Sequence, residues 1–145
     1  MAKSTTWEAG LLALLFNNTA FAGVGDTNGL LASVGTGSLY VSLHTADPTA
    51  AGNQTSSEVS YGAYARVAVA RTSGGWTITS NSVSPTANVE FPQCTSGTAT
   101  VTYVGIGTAV SGAGKLLYSG ALSPSINVST GIIPRVTSGS VITET

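Results

Sequence analysis

The chain changes its hydrophobic period once: apolar positions recur at helical spacing within residues 1–22 and at every second position from residue 38 onward. In the first stretch Trp7, Leu11, Leu14 and Leu15 fall at i, i+4, i+7 and i+8, which places them on one helical face. Thr5-Thr6-Trp7-Glu8 has the spacing of a capping box, with Thr5 as the expected N-cap, and Asn17 and Asn18 end the run. Leu12 and Phe16 widen the apolar stripe around much of the circumference, so the helix needs cover on more than one side. Trp7, Leu11, Leu14 and Leu15 are therefore candidate interface residues. Residues 23–37, rich in Gly and small polar side chains, read as a loop.

Beyond residue 38 the alternation is that of half-buried strands. Leu39, Val41 and Leu43 share one face of a strand over 38–44, and Val67 and Val69 do the same between Ala65 and Arg71. Thr72-Ser73-Gly74-Gly75 is expected to turn that strand into Trp76-Thr77-Ile78-Thr79 as a hairpin. Further strands are expected at 88–91, 99–107, 115–122, 125–128 and 139–143, each bounded by Gly, Pro, Ser or Asn. About eight strands after one helix predict an all-β fold, an antiparallel β-sandwich, jelly roll or barrel. No repeat or linker interrupts the chain, so residues 1–145 read as one domain: helix and arm 1–22, loop 23–37, sandwich 38–145.

Composition changes the picture more than any motif. Only 8% of residues are charged, against a usual share of about 25%, while Ser and Thr number 19 and 21. A freely diffusing enzyme stays soluble behind mixed surface charge and works with clustered ionisable groups, and this chain is poor in both. The five basic residues, Lys3, Arg66, Arg71, Lys115 and Arg135, are scattered and the net charge is −1, which argues against nucleic acid as a partner. The apolar run 11–16 is too short to span a membrane. With Lys3 and Ala20-Phe21-Ala22 it imitates a secretory leader, but Glu8 before the run and two asparagines after it favour the helix.

Candidate chemistry is thin. Ser42, His44 and Asp47 suggest a nucleophilic relay, but no G-x-S-x-G elbow presents a serine, and Asp47-Pro48 reads first as a turn after a strand ending in His44. The glycines of Gly105-Ile106-Gly107 and Gly112-Ala113-Gly114-Lys115 match neither a dinucleotide nor a P-loop fingerprint. One His, one Cys and scattered carboxylates supply no metal set, no cofactor is expected, and Cys94 reads as a buried small hydrophobe. Trp76, Tyr61, Tyr64 and Tyr103 offer the aromatic faces a carbohydrate site would use, although aromatics at strand period read first as core.

Residues 38–48, with Gly52-Asn53-Gln54-Thr55, Glu58-Val59-Ser60-Tyr61, Tyr64-Ala65-Arg66-Val67-Ala68-Val69 and Trp76, resemble small virion proteins of tailed bacteriophages. Residues 112–120 and Gly131-Ile132-Ile133-Pro134-Arg135 extend the likeness over nearly the whole chain. Such sequences often carry a tail-fibre label, but their size and all-β pattern are similar to capsid cement, or decoration, proteins of short-tailed phages. The resemblance implies a non-enzymatic structural protein, made in the host cytoplasm and mounted on the outer capsid surface. Its implied partners are the major capsid protein and further copies of itself, as homodimer or homotrimer, with no nucleic acid or membrane. A tail- or fibre-associated protein is the alternative, and a carbohydrate-binding β-sandwich module ranks below both.

Overall fold

A computed structural model describes all residues, Met1–Thr145. The chain is mostly β with one helix, and its sheets are antiparallel. The elements are α1 (Thr5–Asn17), β1 (Ser38–His44), β2 (Val67–Ala70), β3 (Trp76–Thr79), β4 (Ser82–Pro85), β5 (Val89–Glu90), β6 (Thr98–Gly107), β7 (Leu116–Ser129), β8 (Arg135–Val136) and β9 (Ile142–Thr143). They form three open sheets, ordered β2-β1-β6-β7, β3-β4-β9 and β5-β8, none of which closes into a barrel. Contacts divide the chain into two compact units: Met1–Ser38, Val69–Asn88 and Thr137–Thr145 make the first, Leu39–Ala68 and Val89–Val136 the second.

In the first unit α1 packs on β3 and β4. Its N-cap is Ser4, whose Oγ accepts from Trp7 N at 3.3 Å, one residue before the expected Thr5. The cap needs extended backbone with its oxygen aimed at the third helical N–H, and Ser4 has it (φ −85°, ψ 151°), while Thr5 is already helical. Leu12, Phe16 and the first-turn Glu8 form the buried stripe, and the Phe16 ring meets Trp76 edge-on at 4.8 Å. Asn18, left-handed at φ 51°, ends the helix. Its side chain then holds Ser33 by reciprocal bonds, pinning the loop that follows.

The expected hairpin between the strands flanking residues 72–75 does not form. Gly75 N and Trp76 N both bond Thr72 O, and this turn sends β2 and β3 into different sheets. β3 pairs instead with β4, Thr79 opposite Ser82, across a two-residue turn with Ser80 at φ 56°. Two glycines announce a turn but not which strands will pair across it.

In the second unit β1 is a central strand. Leu39, Val41 and Leu43 are buried on one face, with Ile106 opposite Val41 and Val104 opposite Leu43 on β6. The strands expected at 115–122 and 125–128 are one, β7: Thr102 faces residues 122–125 where the register shifts, and pairing resumes on both sides of that bulge. Val59, Tyr61, Val89, Phe91, Cys94, Val101, Val128 and Val136 complete the buried apolar set.

Candidate functional site

The side chains that carry chemistry gather on the other face of β1, where Ser42 and His44 alternate with the core residues. Opposed residues of an antiparallel pair share a face, so Ser42 lies beside Gly105 and His44 beside Tyr103. A Cβ at position 105 would stand 2.6 Å from His44 Nε2 and 2.8 Å from Ser42 Oγ, so only glycine leaves room for the pair. Gly107 likewise yields its side-chain space to Gln54. These glycines are packing devices, which the phosphate-loop motifs never required.

Ser42 and His44 have no exposed surface. His44 Nδ1 lies 2.8 Å from the carbonyl oxygen of Ser56, which only accepts, so Nδ1 carries the proton and Nε2 accepts from the Ser42 hydroxyl at 2.9 Å. Burial lowers the imidazole pKa below 6.5, against the opposing pull of the Ser56 carbonyl and Glu58, while Arg66 pushes with burial. Asp47 takes no part: its carboxylate accepts from Thr49 N and shapes a turn. Asp47 thus sits in the turn read from Asp47-Pro48, after a strand that ends at His44, while Ser42 and His44 do meet.

Beside this pair lies an ionic cluster. Arg66 forks onto Glu58, Nε to Oε1 and Nη2 to Oε2, both at 2.7 Å. The same guanidinium donates to Ala109 O at 2.9 Å and Gly112 O at 2.8 Å, tying down the connection from β6 to β7. Glu58 also accepts from the Tyr64 hydroxyl, which in turn accepts from Leu43 N. Burial, aided by Glu58, raises the Tyr64 pKa, and the hydrogen bond to Glu58 raises that of Arg66. Gln54 completes the cluster: its N donates to Gly114 O and its Oε1 accepts from Ala109 N, while Nε2 is buried without a partner. The sequence signal for this group was Tyr64 and Arg66 two apart, just before β2, with one carboxylate, Glu58, nearby in the chain.

The expected interface residues sit in the first unit. Trp7, Leu11, Leu14 and Leu15 are half-buried, flanking the stripe of Glu8, Leu12 and Phe16, and the Trp7 ring packs at 5.4 Å from Phe21. The carbonyls of Leu14 and Leu15 accept from Arg71, each at 2.6 Å. Arg71 also reaches Ser33 Oγ and Thr36 O, so it closes a helix end that has no basic residue of its own. Of the aromatics considered for sugar binding, Trp76 and Tyr61 are buried, which withdraws both from such a site, while Tyr64 and Tyr103 are half-buried.

No group of three or more His, Cys, Asp or Glu side chains comes together as a metal set. No helix is long and apolar enough to cross a membrane. No curated protein matches the chain. The family described as podophage GP4 fiber I protein gp80 matches residues 2–144, and the chain belongs to this family of short-tailed-phage virion proteins.

Proposed function

We propose that the protein is a capsid cement protein, a sandwich or jelly-roll subunit that binds the outer surface of the major capsid lattice and stabilises the shell. The observation that carries this reading is where the charges go. Lys3 pairs with Glu144, Arg66 with Glu58 and Arg135 with Glu90, Arg71 is taken up by carbonyls, and Asp26 and Asp47 accept from turn amides. Glu8 is buried, leaving Lys115 outside these pairs and turns. The surface is a field of hydroxyls punctuated by exposed Leu31, Val34, Val110 and Val141, the neutral composition of a contact surface. A protein that binds only the assembled lattice stabilises it by mass action.

The same inventory supports a non-catalytic role without cofactor, nucleic acid or membrane as partner. The one nucleophile–base pair, Ser42 and His44, has no exposed atom for a substrate to reach. Symmetric lattices favour dimers or trimers on local axes, so further copies of the chain join the major capsid protein as partners. Contacts of this kind are insensitive to moderate salt.

A tail-fibre position is the second reading, favoured by the word fiber in the family's description. Copy number separates the two. Densitometry of purified particles should find abundance comparable with the major capsid protein, and particles lacking the chain should release their genome under milder heat or osmotic shock. A handful of copies per particle overturns the cement reading in favour of the tail.

A further inference from the structure

We propose that His44 is an acid-released latch on the loop formed by residues 45–57. The loop leaves β1 at His44 and returns at Glu58, which bridges back to His44. Its base is closed by Thr45 N and Thr45 Oγ1 on Ser57 O and by Val59 N on Leu43 O. Thr102 Oγ1 donates to Thr45 O, and the imidazole adds a buried side-chain hold, its Nδ1 donating to the Ser56 carbonyl while its Nε2 accepts from Ser42. Farther along, Gln54 joins this loop to the β6–β7 connection through Gly114 O and Ala109 N.

Nδ1 donates to Ser56 in either charge state, so what a proton on the ring removes is the anchor on Ser42 and the neutrality that lets the ring stay buried. A proton on Nε2 turns an acceptor into a donor aimed at Ser42 Oγ, whose own hydroxyl hydrogen must then find another acceptor. On the facing strand the neighbour is Gly105, which offers no side chain. The charged groups around the ring do not compensate. Glu58 attracts the imidazolium but already bonds Arg66 and Tyr64, and the Arg66 guanidinium repels it. Tyr103, opposite on β6, has only a hydroxyl, and the Asp47 carboxylate is turned to Thr49 N. Water is the remaining partner, and lifting the loop admits it.

The direction follows from linkage. The folded ring binds a proton less readily than an unfolded one, so the stability it confers is complete above about 6.5 and is lost as pH falls through the range below. His44 is the single histidine of the chain, and no other side chain ordinarily titrates between pH 5 and 7.

Hydrogen exchange on the whole protein at pH 7 and pH 5, corrected for intrinsic rates, tests the latch. Amides of residues 45–58 and 108–115 should be measurably less protected at pH 5 than at pH 7, while those of the β3–β4 hairpin keep their protection. His44→Gln, which cannot take up the proton, should show no such pH dependence. Unchanged protection in the native protein overturns the proposal, as does the same loss in His44→Gln. Should that variant not fold, the ring's proton resonance in the native protein decides: titration below 6.5 with simultaneous shifts in the loop supports the latch, and titration at or above 6.5 overturns it.

Discussion

Arg66 and Arg71 lie five residues apart and serve the two units in different ways. Arg66, in the second unit, is buried on a bidentate carboxylate and gives its remaining donors to two loop carbonyls. Arg71, in the first, has no carboxylate partner and satisfies four oxygens at a helix end and the loop after it. One is half of a charge pair withdrawn from water, whereas the other is a cap supplied from a distant part of the chain. The difference decides what removal leaves behind: a half-buried carboxylate with only a tyrosine hydroxyl for partner in the first case, helix-end and loop carbonyls in the second.

The chain carries reporters that resolve the two units, since both tryptophans, Trp7 and Trp76, belong to the first and all five tyrosines to the second. The largest effect expected is that of Arg66→Ala, about 3 kcal/mol, because Glu58, whose side chain is only 14% exposed, loses its charge partner and keeps just the Tyr64 hydroxyl. Urea unfolding followed by tyrosine emission should shift strongly, and Arg66→Met with Glu58→Leu should regain much of the loss. No recovery in that pair would mean that the bonds to Ala109 and Gly112, not the charge pair, are what Arg66 contributes.

Arg71→Ala should cost less, about 2 kcal/mol, and register in tryptophan emission and the helical circular-dichroism signal. Equal losses for the two arginines would erase the distinction drawn between pair and cap. At the opposite helix end Ser4→Ala removes a single bond to Trp7 N and should cost about 1 kcal/mol in the same tryptophan-detected transition. Smallest of all, Arg135→Gln breaks an ion pair whose side chains are 53% and 54% exposed, and should shift the tyrosine-detected midpoint by less than about 0.5 kcal/mol.

The parts of this architecture that were legible in the sequence are those whose signal is local. β1 has the expected bounds, 38–44, because alternation there is unbroken, and the helix was visible in its apolar spacing. β4 was not, since Ser82, Ser84 and Pro85 are turn-type residues and only Val83 marks a strand. β8 hides between Pro134 and Thr137 for the same reason. The polar cluster was half legible: Ser42 and His44 are two apart on one strand, but Glu58, Arg66 and the carbonyls of Ala109 and Gly112 meet only through long-range strand pairing. The division into two units was not legible either, because the chain passes between them within β1 and β2, between Asn88 and Val89 and between Val136 and Thr137, where no linker composition marks a boundary.

The first unit's scattered origin has a consequence for synthesis. Its helix leaves the ribosome early, but Arg71 follows Leu15 by 56 residues, which at about 5–20 residues per second is a delay of roughly 3–11 s. Its sheet waits longer still, for β9 to pair with β4, for Glu144 to bond Asn81, and for Lys3 to meet Glu144. Until Arg71 and the β3–β4 hairpin are made, the apolar helix is without the cap and the strands it packs on. A chain cut short of residue 137 lacks β9 and the Lys3–Glu144 pair, and so cannot complete this unit.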